Sequence, residues 1–196
     1  MAPVRATRTN QLWNEQPADW TCVCCRRAKP ALWRQGKDGR PIGDLHWHHD
    51  HLMDYPSALL RKHLGPDWMP ILERKFPGAD HFRSGLCRFV ARFPAELVCQ
   101  DCNVAEGAAK QHIQADPFFS FAPPEIARLI TPMPNTAHRI DREIAANIWR
   151  ANTGFLARRK QFVERTIERL LAGDFWGAGY SFSSWHYQPR TRGAAP

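Results

Sequence analysis

The sequence predicts an α+β fold: a small zinc-stabilised core of strands and one helix, followed by an α-helical C-terminal extension. Three features predict it. Two cysteine pairs share one spacing, a strand-like run is dense in histidine, and the C-terminal stretch repeats its apolar residues at three- and four-residue steps.

With 196 residues, the chain is long enough for one moderate domain with an appendage. It is 43% hydrophobic with 8 tryptophans, enough to build a core, and no apolar run approaches the length of a membrane span. The opening MAPVRATRTN lacks the apolar stretch of a secretory signal, so a cytoplasmic, non-membrane protein is expected. There the 6 cysteines are expected as metal thiolates rather than disulfides. A net charge of +8 attracts polyanions, which supports a nucleic-acid partner without identifying one.

Composition divides the chain into stretches. Residues 1–17 are polar and aperiodic and read as a flexible arm. Residues 18–115 hold every cysteine and most of the histidines, and so carry the chemistry. Within them KDGRPIGDLHWHHDH reads as a hairpin: Asp38-Gly39 is a turn signal, and Leu45 and Trp47 alternate with His46 and His48. A helical insertion is expected around 52–98, with helical spacing from Ser57, an interruption at Gly65-Pro66 and a resumption from Met69 to Phe76. Asn103 stands where an N-cap would, with Glu106 three residues on as in a capping box.

Residues 116–175 read as a helical extension. Pro123-Pro124 opens a short helix that Pro132 and Pro134 close. A longer pattern follows through Ile140, Ile144, Ile148, Phe155, Val163, Ile167, Leu170 and Leu171, with a break at Asn152-Thr153-Gly154 and a stop at Gly173. Its charged face, including Arg165, is expected in solvent, with a protein partner or self-association as the competing use. Residues 176–196 read as an irregular tail.

Cys22 and Cys25, and Cys99 and Cys102, each place two thiols three positions apart, which lets one knuckle or helix start direct both sulfurs at a tetrahedral metal. Together they supply the four ligands of a closed structural zinc site. Cys24 competes with Cys22, and Cys87 reads as a buried small hydrophobe. Unliganded core cysteines would leave the repeated spacing unexplained. In His46-Trp47-His48-His49-Asp50-His51, imidazole is too dense beside a carboxylate for an ordinary strand and points to metal or proton chemistry.

The order C-V-C-C, then HHDH, then CQDCN resembles the zinc-holding branch of the HNH (His-Me finger, ββα-metal) endonucleases, over roughly residues 20–112. The resemblance implies a ββα-metal nuclease core. It assigns His48 as a ligand of a catalytic Mg²⁺ or Mn²⁺, His49 as general base, Asn103 as the helix-borne ligand, and His51 as a phosphate or metal contact. Two departures stand out: the motif halves lie far apart, and His48 stands where the resolvase-like pattern often has Asp. The expected activity is phosphodiester hydrolysis in nucleic acid, DNA rather than RNA, in phage defence, restriction or mobile-element biology. The alternative is a non-catalytic zinc-stabilised module that binds nucleic acid or assembles a complex.

Overall fold

The computed structural model describes residues 8–134 and 136–174. In chain order these form β1 (Arg8–Thr9), α1 (Gln11–Glu15), a 3-10 turn (Lys29–Leu32), β2 (Arg34–Gln35), β3 (Pro41–Gly43) and β4 (Leu45–His48). A second 3-10 turn (His51–Asp54) leads to α2 (Tyr55–Leu64), α3 (Trp68–Lys75), α4 (Ala79–Val90), β5 (Glu96–Cys99) and α5 (Gln100–His112). Then come α6 (Pro123–Leu129), β6 (Ile130–Thr131), β7 (Arg139–Ile140) and α7 (Arg142–Ala172). The fold is therefore mixed α and β, with small sheets. No helix among the described residues is long and apolar enough to cross a membrane.

The Asp38-Gly39 turn forms as its chemistry dictates. Gly39 takes φ 73°, Asp38 Oδ1 accepts from the Arg40 amide at 3.1 Å, and β2 pairs antiparallel with β3. The hairpin stops there. The histidine strand β4 pairs instead with β5, placing His46 opposite Val98, Trp47 opposite Leu97 and His48 opposite Glu96. Two strands distant in sequence, followed directly by α5, thus build the unit that carries the histidines, and the insertion becomes a long loop between them.

The arm expected over 1–17 is structured in its described part. From Arg8, β1 adds in parallel to β3, and Asn10 caps α1 by accepting from the Trp13 amide at 2.9 Å while donating to Leu45 O at 2.7 Å. Buried Trp13 lies against Gly43, where a Cβ would come within 2.7 Å of the indole, so only glycine admits this packing. Polar composition hid these contacts because one apolar anchor and one capping side chain suffice to dock so short a segment. Residues 1–7 and the tail expected over 176–196 lie outside the described residues.

The insertion supplies α2, α3 and α4, the last of which periodicity did not reveal. Gly65, at φ 84°, ends α2, and Cys87 is buried as expected. In the extension, α6 starts at Pro123, and a two-strand ladder of β6 and β7 interrupts the helical stretch. The break expected at Asn152-Thr153-Gly154 is absent: α7 runs unbroken for 31 residues. Asn152 Nδ2 donates to Ile148 O and Thr153 Oγ1 to Arg150 O, so these polar side chains bond to their own helix rather than end it. Asp141 caps α7 and Gly173, at φ 84°, ends it. The buried stripe is Ala145, Ile148, Leu156, Val163, Thr166, Ile167 and Leu170; Leu156 faces the core where Phe155 was expected. It packs on α2, with ties from Tyr55 to Glu164, Lys160 to Asp116 (2.8 Å) and Arg159 to Phe89 O (2.6 Å).

Candidate metal centre and histidine site

Four buried thiols meet at one point. Cys22 and Cys25 come from a knuckle closed by Arg26 N to Cys22 O (2.9 Å) and Cys22 N to Arg27 O (3.1 Å), with Arg26 in the left-handed region at φ 60°. Cys99 ends β5 and Cys102 lies in the first turn of α5. All four ligand sulfurs fall within 4.8 Å of one another. Cys22 lies 3.8 Å from Cys102, and Cys25 lies 3.7 Å from Cys99. A tetrahedron with Zn–S bonds of about 2.3 Å has edges of about 3.8 Å, whereas a disulfide needs about 2.05 Å. The set fits a tetrahedral metal such as zinc.

Within the cluster, contact with Cys102 lowers the Cys22 and Cys25 thiols, Cys25 to about 4, whereas the neighbouring thiols and burial push Cys99 and Cys102 up. The Cys24 thiol also rises: the lowering contact with Cys102 is outweighed by Cys22 and by burial, which push it up. The four sulfurs that gather within 4.8 Å are those of Cys22, Cys25, Cys99 and Cys102, which makes Cys22 and Cys25 the ligands of the first pair. Around the thiols, the carboxylate of Asp101, 3% exposed, accepts from Arg27 at 2.6 Å and from Arg34. Burial would lower the Arg27 guanidinium, but Cys25 and Asp101 beside it raise it instead. Neither Asp101 nor Arg27 stood out in the sequence, since their roles depend on the cluster forming first.

At the far end of β4, burial alternates from Trp47 to Leu52: His48, Asp50 and Leu52 point inward, while Trp47 is exposed and His49 and His51 are partly so. Trp47 is 58% exposed, although it falls on the same side of the alternation as buried Leu45. The Leu45 end of that face is closed and the histidine end is open. His48 Nε2 donates to Phe121 O at 2.7 Å, and its ring stacks on Phe93 at 5.4 Å. Burial lowers its pKa, so the ring is held neutral. Asp50, fully buried, accepts from the amides of Leu52 (3.2 Å) and Arg92 (2.6 Å).

His49 and His51 form the accessible pair, with ring centroids 5.1 Å apart. His49 Nε2 lies 3.2 Å from Asp54 Oδ2. A ring nitrogen facing a carboxylate carries the proton, which leaves Nδ1 as a lone-pair base oriented by a third group. Lys110 Nζ donates to His51 Nδ1 at 3.2 Å, so the neutral ring keeps its proton on Nε2. Burial, then the Lys110 charge, lowers the His51 pKa. Lys110 also pairs with Glu106 at 3.6 Å. Burial raises the Glu106 pKa, and Glu106 accepts from the Phe121 amide at 3.3 Å. The backbone of Phe121 is thus clamped between His48 and Glu106.

Asn103 does not cap its helix. α5 begins at Gln100 with Cys99 as N-cap, and Glu106 is bonded to Phe121 and Lys110 rather than reaching back, so no capping box forms. Because β5 runs straight into α5, the helix starts four residues earlier than the side-chain pattern indicates. Asn103, Glu106 and Lys110 then fall at i, i+3 and i+7, along one face of α5.

The structure therefore joins His49, His51, Asp54, Lys110 and Glu106 in one neighbourhood and turns His48 inward. Among the described residues, the four cysteines form the one group of three or more Cys, His, Asp or Glu ligands placed to hold a metal ion. Asp54 and Lys110 were not singled out from the sequence, and Glu106 was read only as half of a capping box; the one signal for Lys110 was its helical spacing from Asn103. No family model, curated protein or solved structure matches the chain, so the arrangement is interpreted from its own geometry.

Proposed function

We propose that this protein is a metal-dependent endonuclease of the HNH type, with a ββα-metal core hydrolysing phosphodiester bonds in DNA. One observation carries the reading: an accessible imidazole, His49, is oriented by Asp54 beside a second, neutral imidazole, His51, at the end of a strand whose partner leads directly into α5. The net charge of +8 suits a polyanionic substrate.

In this reading His49 Nδ1 takes a proton from water as the water oxygen bonds to phosphorus and the bridging oxygen departs with the electron pair. His51 Nε2–H donates to a phosphate oxygen, a role its Lys110-fixed tautomer suits better than metal ligation. Mg²⁺ or Mn²⁺ would be held by Asn103 and His48, and would offset charge on the phosphate and the departing oxygen. For His48 the available atom is Nδ1, since Nε2–H is committed to Phe121 O. A bond from the opposite ring nitrogen to a backbone carbonyl is the usual way a ligand histidine is oriented. The four-cysteine site serves structure: it ties the Cys22–Cys25 knuckle to the start of α5.

Purified protein incubated with plasmid and Mg²⁺, Mn²⁺ or EDTA should nick or linearise DNA only with the divalent ion. His49→Ala should cut about 10²–10⁴-fold more slowly with near-normal DNA binding. A folded, zinc-loaded His49→Ala protein that cuts at the wild-type rate would overturn the assignment. Wild-type protein that binds DNA yet cuts no substrate would favour a non-catalytic binding module.

A further inference from the structure

We infer that His138 is a positioning residue of the metal centre: its ring N–H donates to the Cys102 sulfur and couples metal binding to the β6–β7 connection. This rests on the metal reading of the four thiols and is independent of the nuclease chemistry. His138 is separated from Cys102 by 36 positions, and no cysteine or histidine spacing points to it. Its side chain is nevertheless buried at 6% exposure, with Nε2 3.5 Å from Cys102 Sγ.

The other ring nitrogen settles the direction of that contact. The Met133 amide lies 3.2 Å from His138 Nδ1, and an amide N–H can only donate, so Nδ1 is the acceptor. The proton of the neutral ring therefore sits on Nε2, and the sulfur accepts. A thiolate accepts such a bond far better than a thiol, and four thiolates around a dication carry a net double negative charge to be balanced in a buried site. Three groups face it: the Cys99 amide donates to Cys22 Sγ at 3.4 Å, Arg27 lies beside Cys25, and His138 serves Cys102.

Two of these groups also hold one residue of the extension. His138 accepts from the Met133 amide, and Arg27 Nη1 donates to the Met133 carbonyl at 2.9 Å. Both backbone groups of Met133 are thus satisfied by side chains that serve the thiolates, and β7 leads from there to Asp141, the cap of α7. Metal binding should therefore order the segment that launches the long helix.

The test compares full-length wild type, His138→Leu, which keeps the volume and loses the donor, and His138→Gln, which restores an N–H. Zinc affinity is measured by competition with a chromophoric chelator, and the sulfur-to-cobalt charge-transfer band is recorded after Co²⁺ substitution. Leu should weaken zinc binding about 10–100-fold, the usual effect of losing an outer hydrogen bond, and shift the band; Gln should recover part of both. A merely structural role would lower the melting temperature and leave the band in place. A Leu variant within threefold of wild-type affinity with an unshifted band overturns the inference. If the Leu variant does not fold, Gln decides alone: near-wild-type affinity and band support the inference, and a tenfold loss with a displaced band overturns it.

Discussion

Removing the metal should destabilise the core as a whole rather than loosen one edge of it. The thiols join points far apart in the chain, with Cys22 and Cys102 separated by 80 positions. Treating the metal as a cross-link that closes a loop of that length, loop-closure entropy alone gives about 4.5 kcal/mol at 25 °C. That is comparable with the whole stability of many domains, about 5–15 kcal/mol, before adding the cost of leaving buried thiols without a cation. At about 2–4 °C per kcal/mol for a chain of this size, chelation or Cys99→Ala should lower the melting temperature by about 9–18 °C. Differential scanning calorimetry with and without a strong chelator, beside elemental analysis, measures both effects. Folded protein without stoichiometric metal, or a Cys99→Ala variant melting within about 2 °C of wild type, a shift worth roughly 1 kcal/mol, would refute the reasoning.

Three further outcomes follow from the geometry. Asp101→Ala leaves Arg27, whose side chain is 13% exposed, without its carboxylate and should cost about 3 kcal/mol in urea unfolding; the more exposed Arg34 adds little, and a loss within about 0.5 kcal/mol would count against this network. Burial holds His48 and His51 below the ordinary value of 6.5, so the unfolded chain takes up protons first on acidification. Stability should be full above that pH and fall below it, and His51→Gln, which leaves the cysteines in place, should flatten the slope; identical slopes would contradict it. Arg165→Glu, on the exposed face of α7, should leave metal content and melting temperature unchanged, and loss of metal would show that α7 belongs to the metal site.

Local patterns in the sequence determined the features that local physics controls. Two C-x-x-C steps define the knuckle and helix-start geometry of the metal ligands, Asp38-Gly39 sets its own turn, and Pro123 and Gly173 mark helix ends whatever surrounds them. Features that depend on a distant partner were not legible. β4 takes its partner from beyond the insertion, so neither its pairing nor the exposure of Trp47 follows from alternation alone. Asn103 carries the signature of a cap, but β5 entering α5 without a turn moves the cap to Cys99. Asn152-Thr153-Gly154 carries the signature of a break, yet apolar contacts on both sides hold α7 straight through it. His48 and His49 are chemically identical neighbours, and only the pleat of the chain against the 118–122 segment buries one ring and leaves the other accessible. Spacing along the chain fixes which side chains can act together over a turn or a strand, whereas burial and proton position are fixed by whatever the rest of the fold brings against them.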